Sequence, residues 1–173
     1  MTHIHHAVYG ETLEHEGLFT VKEFYKSIDQ YFQFKGFDKK IQFDEQFDTE
    51  NGKYFHLKFQ YYKRVDANIR LQIRFWIYVY DYNLREIEIE GEKKKIGQGR
   101  VSIKIDAFVQ TGYNNNVFPD TKPFYFLFRI LYEQYFAKPY IDYWKNVDKH
   151  IVNEIKTELS SYFNLNKFLY ERS

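Results

Sequence analysis

Histidines near the start of the chain are the side chains whose type best suits a metal ion. His3, His5 and His6 lie within four positions, and His15 follows. A metal site needs ligands that converge from a rigid scaffold. In an extended strand His3 and His5 share one face, whereas His6 points to the other. We therefore expect exposed histidines on an edge strand and no metal site.

Catalysis would need a nucleophile, a base and an orienting group, and the sequence supplies no such set. His56 and His150 each lack a nucleophile nearby in sequence, and the glutamates between positions 86 and 90 alternate as a solvated strand face does. Gly97-Gln-Gly99 lacks the third glycine and the helix of a dinucleotide-binding loop. We expect no catalytic residue and no cofactor. A pair of carboxylates distant in sequence, as in a glycosidase, stays open.

Composition excludes several classes of partner and site. The 173 residues carry 25 Lys and Arg against 24 Asp and Glu, so no overall field attracts nucleic acid or an anionic membrane. The absence of Cys excludes disulfides and thiolate sites and fits a cytoplasmic location. We see no signal peptide and no stretch long enough to span a membrane. The aromatic content of 21% reflects either AT-rich codons or an aromatic-lined pocket.

An amphipathic helix is expected early in the chain. Thr20 and Glu23 have the spacing of a capping box, apolar residues then recur at helical spacing, and Gly36 is a natural stop. These features predict a helix over about 21–35. Period-two alternation follows and predicts strands, with Asn51-Gly52 as a tight turn between two of them.

The middle of the chain predicts an antiparallel meander, since its links are too short for parallel crossovers. The clearest strand runs from Ile69 to Tyr80, and Asp81-Tyr82-Asn83 predicts a turn before a further strand that ends near Glu90. Residues 91–95 predict a charged turn, and the last strand runs over about 97–110. Together with a first strand before residue 20, the sheet would have about six strands.

Two helical segments are expected after the strands. Residues 124–136 are apolar all round, which favours burial between the sheet and the last helix over contact with a membrane surface. Pro139 must end or kink that run. Beyond it, residues 140–162 form one apolar stripe, and the chain after Asn164 is expected to fray.

The strand faces that point away from the core combine aromatic and basic side chains. Such a surface could bind a protein, could stack single-stranded bases, or could reflect strand propensity alone. We expect any protein partner or self-association to use Trp76, Tyr78 and Tyr80, and we regard nucleic acid as the weakest of these readings. The face consists of Tyr54, Lys58, Tyr62, Arg70, Arg74, Trp76, Tyr78, Tyr80 and Lys104.

The order of these elements resembles the START-related helix-grip superfamily, which includes lipid-transfer domains, polyketide-cyclase-like proteins and plant proteins that bind hydrophobic ligands. The resemblance covers about residues 5–164 and rests on pattern, with no diagnostic motif and with one helix where the superfamily usually has two short ones. It implies an α+β fold in a single domain over 1–173. A curved antiparallel sheet of about six strands would pack on a long C-terminal helix, with one N-terminal helix after the first strand.

The resemblance implies a soluble protein that binds a lipid or another apolar small molecule between the concave sheet and the C-terminal helix. The alternative is a solid core, in which case the chain would be a protein–protein interaction module that uses the sheet face or the helix over 124–136. An enzyme such as a cyclase or hydrolase of apolar substrates is a weaker reading, and peripheral membrane contact stays open. The residues expected to line the ligand cavity are Phe59, Tyr61, Ile73, Phe75, Ile77, Ile103, Ile105, Ala107, Trp144, Val147, Ile151 and Ile155.

Overall fold

A computed structural model of the chain describes residues 3–89, 91–112 and 123–170. This part of the chain has an α+β fold in which five strands come before the two last helices. Its elements, in chain order, are β1 (His3–Phe19), α1 (Val21–Phe34), β2 (Asp38–Thr49), β3 (Gly52–Arg64), β4 (Ile69–Ile89), β5 (Glu92–Thr111), α2 (Pro123–Tyr135) and α3 (Lys138–Tyr170).

The strands form one antiparallel sheet in the order β1-β5-β4-β3-β2. From β2 to β5 each strand pairs with the next, whereas β1 pairs with the last strand, β5. The segment that contains α1 therefore connects the two edges of the sheet. Helix α3 contacts β1, β5 and β4 as well as α1, so both helices lie on the same face of the sheet.

The sheet has five strands, and not the six expected from the sequence, because two of the predicted strands are one. β4 continues through Asp81-Tyr82-Asn83, where the sequence predicts a turn. Asp81 has a left-handed φ of 54°, and the register with β5 shifts between Tyr80 and Asn83, so these residues form a β-bulge. The predicted charged turn over 91–95 is also wrong, because β5 begins at Glu92, which pairs with Ile89.

Glycines on the partner strand make room for this bulge. A Cβ atom on Gly97 would lie 2.1 Å from the ring of Tyr82, and one on Gly99 would lie 2.8 Å from the carbonyl oxygen of Tyr80. Both positions are therefore closed to any larger residue unless the bulge moves. The spacing Gly-Gln-Gly that superficially suggests a phosphate loop serves strand pairing here.

The core lies between the concave face of the sheet and the two helices α1 and α3. The ring of Phe32 on α1 stacks on that of Tyr61 on β3, with centroids 4.2 Å apart, and packs edge-on against Phe75. Phe24 on α1 packs at a tilt against Phe163 on α3, with ring centroids 5.9 Å apart. Each side chain buried in this way contributes about 1.5–3 kcal/mol to the stability of the fold.

The ends of α1 differ in how they are capped. Thr20 is the N-cap residue, but its side chain makes no capping hydrogen bond, so the predicted capping box is not formed. Instead, Tyr162 on α3 lies within hydrogen-bond distance of the Thr20 backbone and of the Glu23 carboxylate. Gly36, with φ of 75°, ends the helix, and the amide of Phe37 donates to the carbonyl of Phe32.

Most side chains of α2 whose burial is described are exposed, contrary to the burial expected from its composition. Phe124, Phe128 and Tyr135 are among its most exposed side chains, and α2 makes only a few contacts with α3. An all-apolar sequence is usually buried, but nothing in the described part of the chain covers this one.

Pro139 lies in the first turn of α3, where its missing N–H costs nothing. The expected fraying after residue 164 is also wrong, because α3 extends to residue 170.

Candidate functional site

The residues predicted to line a ligand cavity divide by burial into a fully buried group and a half-buried group. The sheet residues of the set are all buried, and Ile151 and Ile155 of α3 join them in one apolar cluster. Trp144 and Val147 are half-buried and pack against that cluster. The structure thus brings the twelve predicted residues together, but at different depths.

The half of the interior next to α1 is filled with aromatic rings. Phe59 stacks on Phe75 with centroids 5.3 Å apart, and Tyr61 packs edge-on against both rings. Asp29 on α1 accepts a hydrogen bond from the Tyr61 hydroxyl. Its Oδ1 also forms an ion pair with Lys39 Nζ at 2.6 Å. Burial first, and then the Asp29 carboxylate, raise the pKa of Tyr61, so the phenol stays a neutral donor.

The other end of the interior opens into a groove of about 670 Å³. It lies between the end of α1, the end of β3 and the first turns of α3. The apolar residues that line it are Phe37, Val65, Leu71, Trp144, Val147 and Ile151, and the polar ones are Lys35, Lys63, Arg64, Tyr143, Asn146 and His150. We call this feature the end groove.

The end groove includes three residues of the predicted lining and several that sequence analysis missed. Trp144, Val147 and Ile151 were expected, whereas Phe37 and Leu71 were not assigned to a site. Leu71 lies on the inward face of β4 by its spacing alone, so the alternation along that strand could have included it. Phe37 lines the groove because the chain changes direction at Gly36, after the end of α1. Helical periodicity does not predict the direction in which the chain leaves the helix.

Lys35, Lys63 and Arg64 line the end groove, and none of the lining residues that the structure describes carries a carboxylate. Lys35 pairs with Glu154 of α3 at 2.8 Å, and Lys63 donates to the Lys35 carbonyl at 2.7 Å. The hydrogen bond from Lys35, together with one from Tyr31, lowers the pKa of Glu154. Glu154 offsets the charge of Lys35, so the positive charge of Lys35 is not free at the rim.

Two buried polar groups next to the end groove lack hydrogen-bond partners. Asp148 is fully buried, and neither of its carboxyl oxygens has a hydrogen-bond partner within residues 3–89, 91–112 and 123–170. One turn earlier on α3, the indole nitrogen Nε1 of Trp144 is also shielded from solvent and unpartnered. Burial raises the pKa of Asp148 to about 8, with no charged neighbour as a cause. Asp148 was missed from the sequence, although it lies four residues after Trp144 and seven before Ile155, on the predicted apolar stripe.

The opposite face of the sheet carries the aromatic and basic side chains expected there. The indole ring of Trp76 on β4 has three cations around it, each 5.4 Å from the ring centroid: Lys58 on β3, Arg74 on β4 and Lys104 on β5. Among the residues that the structure describes, none of these three cations has an ion pair. We call Lys58, Arg74, Trp76, Tyr78 and Lys104 the sheet platform.

Three histidines of the described chain contact neighbouring polar or aromatic side chains. His5 Nε2 lies 3.3 Å from the Thr111 hydroxyl, His15 stacks on Phe163, and His56 stacks on Tyr78. Over residues 3–89, 91–112 and 123–170, no three His, Asp or Glu side chains form a group that could hold a metal ion.

Comparisons with protein-family models, with curated proteins and with solved structures found no match to this chain. The structure itself shows an α+β fold with a five-stranded antiparallel sheet packed on a C-terminal helix, which is compatible with a helix-grip arrangement. None of the described helices is both long enough and apolar enough to cross a membrane.

Proposed function

We propose that this protein binds a lipid or another apolar small molecule between its concave sheet and its C-terminal helix, and that the end groove is the place of entry. The observation that carries the proposal is the groove itself. Its volume of about 670 Å³ is in the usual range of ligand sites, and its floor of Phe37, Leu71, Val147 and Ile151 is apolar.

The chemistry of the groove supports a ligand with a large apolar body. Ligand sites of this kind are mostly apolar, with a few polar groups that fix orientation. Here Trp144 lines the groove and Asp148 lies one turn further along α3, and in the part of the chain that the structure describes neither polar group has a hydrogen-bond partner. The exposed apolar residues of α2, which precedes the groove helix in the chain, suit contact with the lipid surface from which such a ligand would come.

Occupancy of the purified protein tests this proposal. We expect denaturing extraction with mass spectrometry, run beside native mass spectrometry, to detect an apolar species bound in stoichiometric amount. A protein purified without ligand should bind the neutral apolar dye N-phenyl-1-naphthylamine with increased fluorescence.

Variants that fill the cavity sharpen the test. Val147→Phe, in the end groove, and Ala107→Leu, in the interior, should each lower dye binding at least about tenfold, the effect of roughly 1.4 kcal/mol. Asn153→Phe, at an exposed position on α3, is the matched control and should bind as the parent protein does. Equal binding by all four proteins would place the ligand elsewhere or show that the interior is solid.

A second candidate function is a protein interaction module that uses the sheet platform. The observation that favours it is the set of three cations without carboxylate partners around Trp76. Trp, Tyr and Arg concentrate binding energy at interfaces. Because two copies would bring like charges together, the platform fits an acidic protein surface better than a second copy of this chain.

A further inference from the structure

Two side chains one turn apart on α3, Trp144 and Asp148, carry buried polar atoms that have no hydrogen-bond partner in the part of the chain that the structure describes. They are separated by four residues in a helix, so their Cβ atoms lie about 5–6 Å apart on one face. Trp144 lines the end groove, whereas Asp148 is fully buried and is not among the lining residues. Buried polar groups without partners are rare in native proteins and call for a missing partner. At this separation one small polar group can reach both side chains.

The hydrogen-bonding roles of the two groups select the chemistry of that partner. The indole Nε1–H of Trp144 is a donor only, whereas the carboxyl group of Asp148 offers an acceptor oxygen in either protonation state. A hydroxyl group both accepts and donates, so a single hydroxyl can accept from the indole and donate to one Asp148 oxygen. An ammonium group can donate to Asp148 but has no lone pair for the indole N–H. A ligand carboxylate can accept from the indole but has no proton to donate to an Asp148 oxygen.

We propose that the ligand is an alcohol with an apolar body, whose hydroxyl accepts a hydrogen bond from Trp144 Nε1 and donates one to the carboxyl group of Asp148. This inference rests on the proposed function, because it specifies the occupant of the same site. The apolar body lies along the floor of the end groove, against Phe37, Val147 and Ile151. A long-chain alcohol or a hydroxylated polycyclic lipid has the chemistry required.

A matched pair of ligands tests the hydroxyl directly. Decan-1-ol and decyl methyl ether have similar apolar bodies, but the ether has no donor and its oxygen is capped. Each is used to displace N-phenyl-1-naphthylamine from the purified, delipidated protein. We expect decan-1-ol to bind about tenfold more tightly than the ether, as two hydrogen bonds of ordinary net strength would allow.

Variants assign the preference to the two side chains. Trp144→Phe keeps the ring and removes the N–H, and Asp148→Leu removes the carboxyl group. Each should reduce the alcohol-to-ether ratio about threefold to tenfold and leave ether binding unchanged or stronger. Val147→Ala is the matched control in the same groove, and it should weaken both ligands equally and keep their ratio.

The outcomes separate this inference from the proposed function. If the dye binds but alcohol and ether displace it equally, a buried water satisfies the two atoms and the alcohol proposal is overturned while the site stands. If the ratio survives Trp144→Phe and Asp148→Leu, the hydroxyl lies elsewhere and the assignment is overturned. If neither the dye nor either ligand binds, both the proposed function and the inference are overturned.

Discussion

Asp148 and Asp106 show how differently two buried carboxyl groups can be accommodated in one protein. Asp106 accepts a hydrogen bond from the backbone amide of Gly10 at 2.6 Å, at a register shift between β1 and β5. Asp148 has no such donor among the residues that the structure describes. An ionised carboxylate without a partner is costly in an apolar interior, so the protein holds Asp148 in its protonated form over a wider pH range.

The raised pKa of Asp148 predicts an unusual pH dependence of stability in the ligand-free protein. The folded pKa is about 8 and the ordinary value is 3.8, so between these limits the folded state holds a proton that the unfolded state has lost. The free energy of unfolding then falls as pH rises through this window, by up to about 1.4 kcal/mol per pH unit. Asp148→Asn removes the titration, and its stability relative to the parent protein should therefore increase from pH 4.5 to pH 8.

Urea denaturation at pH 4.5, 6 and 7.5 measures this difference. Asp142→Asn is the control, because that side chain is half exposed and lies 3.8 Å from Lys145. It should keep the pH dependence of the parent protein. Parallel stability curves for Asp148→Asn and the parent would show that Asp148 is hydrated in the folded state.

At the scale of elements, the bulge in β4 couples two strands through one side chain. Tyr82 lies over Gly97, where a Cβ atom would be 2.1 Å from its ring, so the pair has no room for a methyl group. Gly97→Ala should destabilise the protein by about 1–3 kcal/mol through overpacking. In a Tyr82→Leu background the same substitution should cost less than about 0.5 kcal/mol, because the ring is gone. A double-mutant cycle by urea denaturation measures the coupling, and additive effects would contradict it.

The same bulge shows where sequence reasoning succeeds and fails. Alternation over Ile69–Tyr80 predicts the strand and its inward face, and Ile73, Phe75 and Ile77 are all buried. The turn-like composition of Asp81-Tyr82-Asn83 predicts a chain reversal, but β5 is long enough to pair past it. Whether such a segment turns or bulges depends on the partner strand, and here on Gly97 and Gly99. That information is not local, so a periodicity cannot supply it.

The end groove is harder to predict from the sequence, because it too depends on contacts between elements distant in the chain. Its walls come from the end of α1, the end of β3 and the start of α3, and their separation depends on how three elements meet. The stripe on α3 does predict Trp144, Val147 and Ile151 as inward residues. Asp148 follows from the same helical spacing once a polar residue on an apolar stripe is treated as a candidate. Periodicity therefore predicts which residues point inward, but it does not predict where the interior is open.

At the scale of the described molecule, the two faces of the sheet carry different side chains. The concave face holds α1, α3 and the end groove, and the opposite face carries the sheet platform. Because the formal net charge is only +1, the platform is a local concentration of charge in a nearly neutral chain. Arg74 on β4 is the register partner of Asp106 on β5, but no ion pair joins the two side chains in the described structure. Asp106 instead accepts a hydrogen bond from the Gly10 amide. The cations of the platform are therefore available to an acidic partner.

This separation predicts that the two faces can be disabled independently. Trp76→Ala combined with Tyr78→Ala removes the aromatic part of the sheet platform and should weaken binding of an acidic probe, a 20-residue polyglutamate peptide, and any self-association seen by sedimentation. The melting temperature and the binding of N-phenyl-1-naphthylamine should stay nearly unchanged, since both side chains are only half-buried on the face away from the ligand. Phe34→Ala, an exposed aromatic on α1, is the control and should keep peptide binding.

Binding of the peptide should weaken from 20 to 150 mM salt, because the Debye length falls to about 8 Å. A large loss of stability in the double variant would show instead that the aromatic face holds the sheet together, and undiminished peptide binding would place the acidic contact elsewhere.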